Sequence, residues 1–210
     1  MQEPRDPTPP PGSIAAAIRG RPTLVAVVVT YVVGWTVYGL LSGSDATLAY
    51  LVTMLVLATI VAFMHARVGL SSGVLWVVAA WGFAHMAGGI VAVGDGVLYN
   101  ASLGVPLLRY DRVVHAIGFG TATVACWQAL RSIHPAVPLT PGVAVLVSLM
   151  GMRVGALNEV VEFFASRTFA ANVGGYVNTG WDLVANAIGC GVAASVQWGR
   201  EARAGAAARV

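Results

Sequence analysis

The sequence contains no lysine, two cysteines and only 10% charged residues, where a soluble domain carries about 25%. Each shortage excludes something. Cys126 and Cys190 both fall within apolar runs, so a disulfide framework is not expected and both read as small buried residues. The formal net charge of +3 rests on arginine alone and is spread along the chain, which argues against nucleic acid as a partner. There is no His-Glu-x-x-His zinc motif, no Gly-x-Ser-x-Gly nucleophile elbow and no P-loop. An ATP-driven machine is therefore not indicated.

What is present is apolar: 57% of residues are hydrophobic and the mean hydropathy is +0.76. Runs of about 20 such residues are long enough to cross a bilayer core. They fall at about Pro22–Leu41, Ala46–His65, Gly73–Val93, Tyr110–Leu130, Gly142–Phe164 and Val177–Trp198. Lipid leaves helices and closed barrels as the only spanning structures. The expected fold is therefore all-α, a polytopic bundle of six transmembrane helices over residues 21–199. The first run is longer than a signal peptide's apolar core and follows a proline-rich tail, and Ser42 and Ser44 offer only a weak cleavage site. Residues 1–20 read as a disordered cytoplasmic tail, with five prolines in its first 12 residues, and 200–210 as a short basic tail.

Arginine placement sets the expected orientation. Six spans put both termini on one side, together with Arg5, Arg19, Arg21, Arg67, Arg131, Arg200, Arg203 and Arg209. Only Arg109, Arg112 and Arg167 fall on the other. Both termini are thus expected in the cytoplasm, with the chain multi-pass in the plasma or inner membrane and lipids as its surroundings. His65, His134, Trp76, Trp81 and Trp198 read as interface residues. Arg153 lies inside the fifth run and has no expected partner.

The polar residues inside these runs are few and fall in a pattern. Tyr110-Asp111-Arg112-Val113-Val114-His115-Ala116-Ile117-Gly118-Phe119-Gly120 has an ungapped echo in Trp181-Asp182-Leu183-Val184-Ala185-Asn186-Ala187-Ile188-Gly189-Cys190-Gly191. On a helix, Asp111, His115 and Gly118 share one side, as do Asp182, Asn186 and Gly189. Gly151, Gly155, Glu159 and Glu162 form a third stripe. The alternating topology brings Asp111, His115, Glu159, Glu162 and Asp182 to one level near the outer face, and adds His85.

Two kinds of reading stay open. One is a metal or acid/base centre of His85, Asp111, His115, Glu159, Glu162 and Asp182, supported by Arg112 and Asn186. Histidine with carboxylates suits Zn²⁺ or Mn²⁺, and Glu159, Glu162 or His115 would serve in catalysis. The other is structural. Asp111 and Asp182 would cap helices, His115 would tether two of them, the glutamates would pair with Arg112 or Arg167, and His85 would simply be packed. The first reading gives a hydrolase or transferase acting on a lipid or lipid-linked envelope precursor. A cation- or proton-binding transporter and a purely structural protein are the alternatives. The glutamates are not adjacent, so the paired-glutamate pattern of CAAX-type intramembrane proteases is not met.

At these residues the chain resembles the YjdF-type inner-membrane proteins and, more loosely, the VanZ-like proteins. The resemblance rests on His85 with Gly88-Gly89, on Tyr110 to His115, on Glu159-Val160-Val161-Glu162-Phe163, and on Gly175 through Trp181-Asp182-Leu183 to Gly189. It covers about Gly82 to Gly191. Arg153 stands where an apolar residue is typical and Asn178 where an acid is, which puts a ligand role for Asn178 in question. The resemblance implies a multispanning membrane protein of unassigned biochemistry, with a VanZ-like link to envelope stress or glycopeptide tolerance.

Overall fold

A computed structural model describes residues 12–105, 107–168 and 175–207. Among them are seven α-helices: α1 (Ile14–Arg19), α2 (Pro22–Leu41), α3 (Thr47–Val68), α4 (Ser72–Ile90), α5 (Tyr110–Ile133), α6 (Pro141–Thr168) and α7 (Tyr176–Ala207). The five from α2 to α6 are long and apolar enough to cross a membrane. The expected sixth span lies in α7, which is long enough but less apolar, because Asp182, Asn186 and Gln197 interrupt it.

Local chemistry sets the helix ends. Pro22 and Pro141 occupy first-turn positions, where a missing N–H costs nothing. Ser71 caps α4 by accepting from the Val74 N–H, and the Gln128 side chain of α5 in turn binds Ser71 at both its N–H and its Oγ, each at 2.9 Å. That pair ties the start of α4 to the far end of α5.

Two departures from the expected boundaries have clear causes. Residues 14–19, placed above in a disordered tail, form α1, because Ser13 accepts the Ala16 N–H at 3.1 Å and the helix packs on α3. Residues 1–11 of that tail lie outside the described residues. Residues 200–207, placed above in a second tail, continue α7, held by Glu201. That side chain accepts from Trp127 Nε1 at 2.8 Å and lies 3.5 Å from Arg131 Nη1.

The described residues of the interval from Gly94 to Arg109 belong to a folded connection. Ala92–Val93 pairs with Gly96–Val97 in a small antiparallel hairpin, a 3₁₀ turn covers Leu98–Asn100, and Ser102 bridges to Arg109. Trp81, expected at an interface, turns inward: its Nε1 donates to the Val114 carbonyl at 3.0 Å.

The tightest packing is among α5, α6 and α7, with α4 against α5 and the α2–α3 pair outside. One apolar cluster centres on Trp127, Val147 and Ala194; another joins Met54, Met86 and Ile90. α5 and α7 run parallel and very close. A Cβ on Gly189 would lie 2.6 Å from the Ala116 carbonyl carbon, so only glycine permits this approach.

Candidate functional site

The close α5–α7 contact brings equivalent residues of the echoed segments together. His115 Nδ1 meets Asn186 Oδ1 at 3.1 Å, and Cys190 Sγ donates to the Phe119 carbonyl at 3.3 Å. Both pairs are 71 positions apart, which is the spacing of the echo itself. α6 approaches from the opposite direction. Its Gly155 leaves the room that the Asn186 amide fills, since a Cβ there would lie 2.7 Å from Asn186 Nδ2. Its Glu159 and Glu162 then reach His115.

The distances define a compact polar cluster. His115 Nε2 is 3.5 Å from Asp111 Oδ1 and 3.9 Å from Glu162 Oε1, while Nδ1 is 3.6 Å from Glu159 Oε1. Asp111, His115 and Asp182 each offer a ligand atom within 4.8 Å of the others, and so do His115, Glu159 and Glu162. Two asparagines complete the set: Asn178 Nδ2 donates to Asp182 Oδ2 at 2.5 Å and to Asp111 Oδ2 at 3.3 Å, and Asn158 Nδ2 donates to Glu162 Oε1 at 2.6 Å.

Donor and acceptor roles follow from these contacts. Asn186 Oδ1 can only accept, so His115 Nδ1 carries the proton and donates. The opposite ring nitrogen, Nε2, faces two carboxylate oxygens. The oxygens of Glu159 and Oδ1 of Asp182 are buried with no hydrogen bond of ordinary geometry among the described residues, although Asn158 and Thr179 come near Glu159 and the Asp111 carboxyl comes near Asp182. Glu159 is 8% exposed and Asp182 1%. Carboxylate oxygens thus converge on His115, and the amide groups of Asn158, Asn178 and Asn186 lie among them.

The cluster opens toward one end of the bundle. The Asp111 and Glu162 side chains are 16% and 28% exposed, against 9% for His115. A molecule or ion arriving from that end meets Asp111 and Glu162 first.

The other expected members are placed differently. His85 stands apart, in a box of aromatic rings: it stacks on Trp81 with centroids 5.1 Å apart, and Tyr50 and Tyr99 flank it. Tyr99 comes from the connection after α4, and its hydroxyl contacts His85 Nδ1. Burial holds the Tyr99 phenol well above its ordinary range, so it keeps its proton and donates, which occupies that nitrogen. Gly88-Gly89 explains how two tyrosines fit. A Cβ at Gly88 would lie 2.7 Å from the Tyr99 ring, and one at Gly89 would strike Tyr50.

Arg112 covers the Trp181 ring, 4.7 Å from its centroid, and donates to the Leu107 carbonyl. Arg167 lies over Phe163. Neither pairs with Glu159 or Glu162 among the described residues. Capping does not account for Asp182 either, because α7 begins at Tyr176, well before it. Asp111 does sit in the first turn of α5, where it complements the helix dipole. Arg153 is exposed on the outer face of α6, away from the cluster.

Sequence reasoning did not assign Tyr50, Tyr99 or Asn158 to this region. The Gly88-Gly89 pair was the signal that large groups from elsewhere must approach α4.

No curated protein and no solved structure matches the chain. The family described as "Predicted membrane protein (DUF2238)" matches residues 22–203, from the start of α2 almost to the end of α7, and the chain belongs to that family.

Proposed function

We propose that this multi-pass membrane protein holds a divalent cation between α5, α6 and α7, and uses it for metal-assisted or acid/base hydrolysis or transfer on a lipid or lipid-linked envelope precursor. α7 serves as the sixth span, both termini are cytoplasmic by arginine placement, and the cluster faces the outer surface. One observation carries the reading: His115 Nε2 faces the carboxylate oxygens of Asp111 and Glu162, at 3.5 and 3.9 Å, with Glu159 and Asp182 beside them.

Like partial charges crowded in a low-dielectric region repel strongly, and a bound cation reverses the sign of that interaction. Nitrogen with carboxylate oxygens suits Zn²⁺ or Mn²⁺. Asp111, His115, Glu162 and Asp182 would be ligands. Asn186 would fix the imidazole tautomer from behind, the role such partners play at metal-binding histidines. Glu159, buried beside the ring, would be the general base. The open side at Asp111 and Glu162 admits a headgroup or water, as a catalytic site requires. The resemblance to YjdF-type and VanZ-like proteins points the same way, to the cell envelope.

A proton on Nε2 satisfies the same geometry. The i, i+4 spacing of Asp111 and His115 on one helix favours such a pair, so proton or cation transport is the second reading. Elemental analysis separates the two. Purified wild-type protein is expected to carry stoichiometric metal, which His115→Ala and Glu162→Ala lose while remaining folded. Metal-free wild-type protein that supports pH-dependent flux in liposomes establishes the second reading instead. Metal-free protein without flux, in which both substitutions abolish folding, leaves the cluster a structural pin.

A further inference from the structure

At the end of the bundle away from the polar cluster, α2 and α3 stand off from α4 and leave a cavity of about 360 Å³. That volume lies within the range of about 300–1,000 Å³ common for small-molecule sites. Its floor is apolar and buried, formed by Leu75 and Ala79 of α4. α1 closes one side of its mouth with Ile14 and Ile18. Two polar side chains mark that mouth, Arg21 and His65.

Among the described residues neither of them has an acidic partner. Arg21 Nη1 donates to Ser72 Oγ at 2.6 Å, and no carboxylate lines the cavity or pairs with Arg21 among the described residues. His65 Nδ1 is buried with no hydrogen bond of ordinary geometry among the described residues, although the Leu70 backbone comes near the ring. Arg19 and Arg67 lie at the same end, in the last turns of α1 and α3. Among the described residues, an apolar trough thus ends in positive charge with no carboxylate beside it.

Its depth identifies the occupant. Along α3 it extends from His65 inward to Met54, about 16 Å at about 1.5 Å per residue. Half of a hydrocarbon core of about 30 Å is about 15 Å, so the trough spans one leaflet. We infer that it binds one acyl chain of an anionic membrane phospholipid, whose phosphate is held by Arg21 and His65 at the leaflet surface. An anionic headgroup supplies a counter-charge for Arg21, and the chain fills space that water would not occupy. This site is separate from the His115 cluster, and its test does not depend on the metal.

The test is native mass spectrometry of the full chain. The protein is released from vesicles of phosphatidylglycerol and phosphatidylethanolamine in equal amounts, then progressively delipidated. Wild-type protein is expected to retain one phosphatidylglycerol after other lipids have left. Ala58→Phe, which fills the trough from α3, is expected to lose that lipid while remaining monodisperse. Arg21→Gln leaves the trough intact and is expected to lower the preference for phosphatidylglycerol about fivefold. The inference is overturned if no lipid is retained, if Ala58→Phe keeps it, or if wild type and Arg21→Gln show the same preference. It is also overturned if cross-links from α2 and α3 show a second copy of the chain covering the trough.

Discussion

Gly189→Ala is the sharpest perturbation of the scaffold that assembles the site. The new Cβ would lie 2.6 Å from the carbonyl carbon of Ala116 and 2.7 Å from its Cα, and closer still to its oxygen. Carbon atoms rest about 3.5–4.0 Å apart, so α5 and α7 must separate by about 1 Å. The obstacle is backbone and cannot swing aside. One turn nearer the site, the His115–Asn186 bond at 3.1 Å would be stretched past its limit. Overpacking costs about 1–3 kcal/mol, and an interhelical hydrogen bond in a membrane protein about 0.6 kcal/mol more. Replacing glycine by alanine within a helix returns about 1 kcal/mol. The expected net loss is about 0.6–2.6 kcal/mol, a factor of about 3–80 in the unfolding equilibrium. Gly191→Ala is the control: it sits on the same helix with nothing within 4 Å of its Cβ, so it gains helix propensity without a clash. Unfolding by sodium dodecyl sulfate in mixed micelles, followed by circular dichroism, measures both. The two substitutions should shift the midpoint in opposite directions. Equal midpoints, or a Gly189→Ala protein as stable as wild type, would refute the close-approach argument.

Other outcomes follow from the same contacts. Asn186→Ala frees the imidazole without touching Nε2, and should weaken metal retention about 10–100-fold at unchanged helix content; unchanged retention would show that Asn186 does not orient His115. Tyr99→Phe removes the hydroxyl on His85 and should cost about 0.5–1.5 kcal/mol in thermal unfolding. Gly88→Ala should cost more, because its Cβ displaces the whole Tyr99 ring; the reverse order would mean that the ring moves freely. Metal ligands bind deprotonated, so retention should fall as pH is lowered and protons compete for the carboxylates and for Nε2. Retention that rises on acidification would exclude Asp111, Glu162 and His115 as ligands.

Much of this arrangement was legible in the sequence because a membrane simplifies the problem. Helix is the form that apolar runs of this length take in lipid, and alternation of direction then assigns each polar residue a level. The ungapped echo carried more than resemblance. α5 and α7 are parallel and in register, so Asp111, His115 and Phe119 lie level with Asp182, Asn186 and Cys190. The stripe of Gly151, Gly155 and Glu159 likewise faces α5 and α7, with Thr123 against Gly151 and Asn186 against Gly155.

Other features depend on contacts that no helical period encodes. Gly118 shares one helical side with Asp111 and His115 by spacing, yet it gives room to Trp81 of α4. Depth alone groups His85 with the acids, and depth does not specify rotation: its ring turns into Tyr50, Trp81 and Tyr99. Tyr99 reaches it from a connection whose path depends on a two-residue hairpin and a 3₁₀ turn. α1 was missed because five prolines before it dominate the composition, while a single serine cap and two isoleucines decide the local structure. α7 falls short of a span by composition because its polar residues face α5 and α6, and hydropathy averages over all faces of a helix.

The most direct measurement is pulsed electron paramagnetic resonance on protein loaded with Mn²⁺ in nanodiscs. A cation bound at His115 Nε2 gives a nitrogen coupling from one imidazole, which disappears in His115→Ala and persists in His85→Ala. Mn²⁺ that shows no nitrogen coupling, or a coupling that survives in His115→Ala, would contradict a metal centre between α5, α6 and α7.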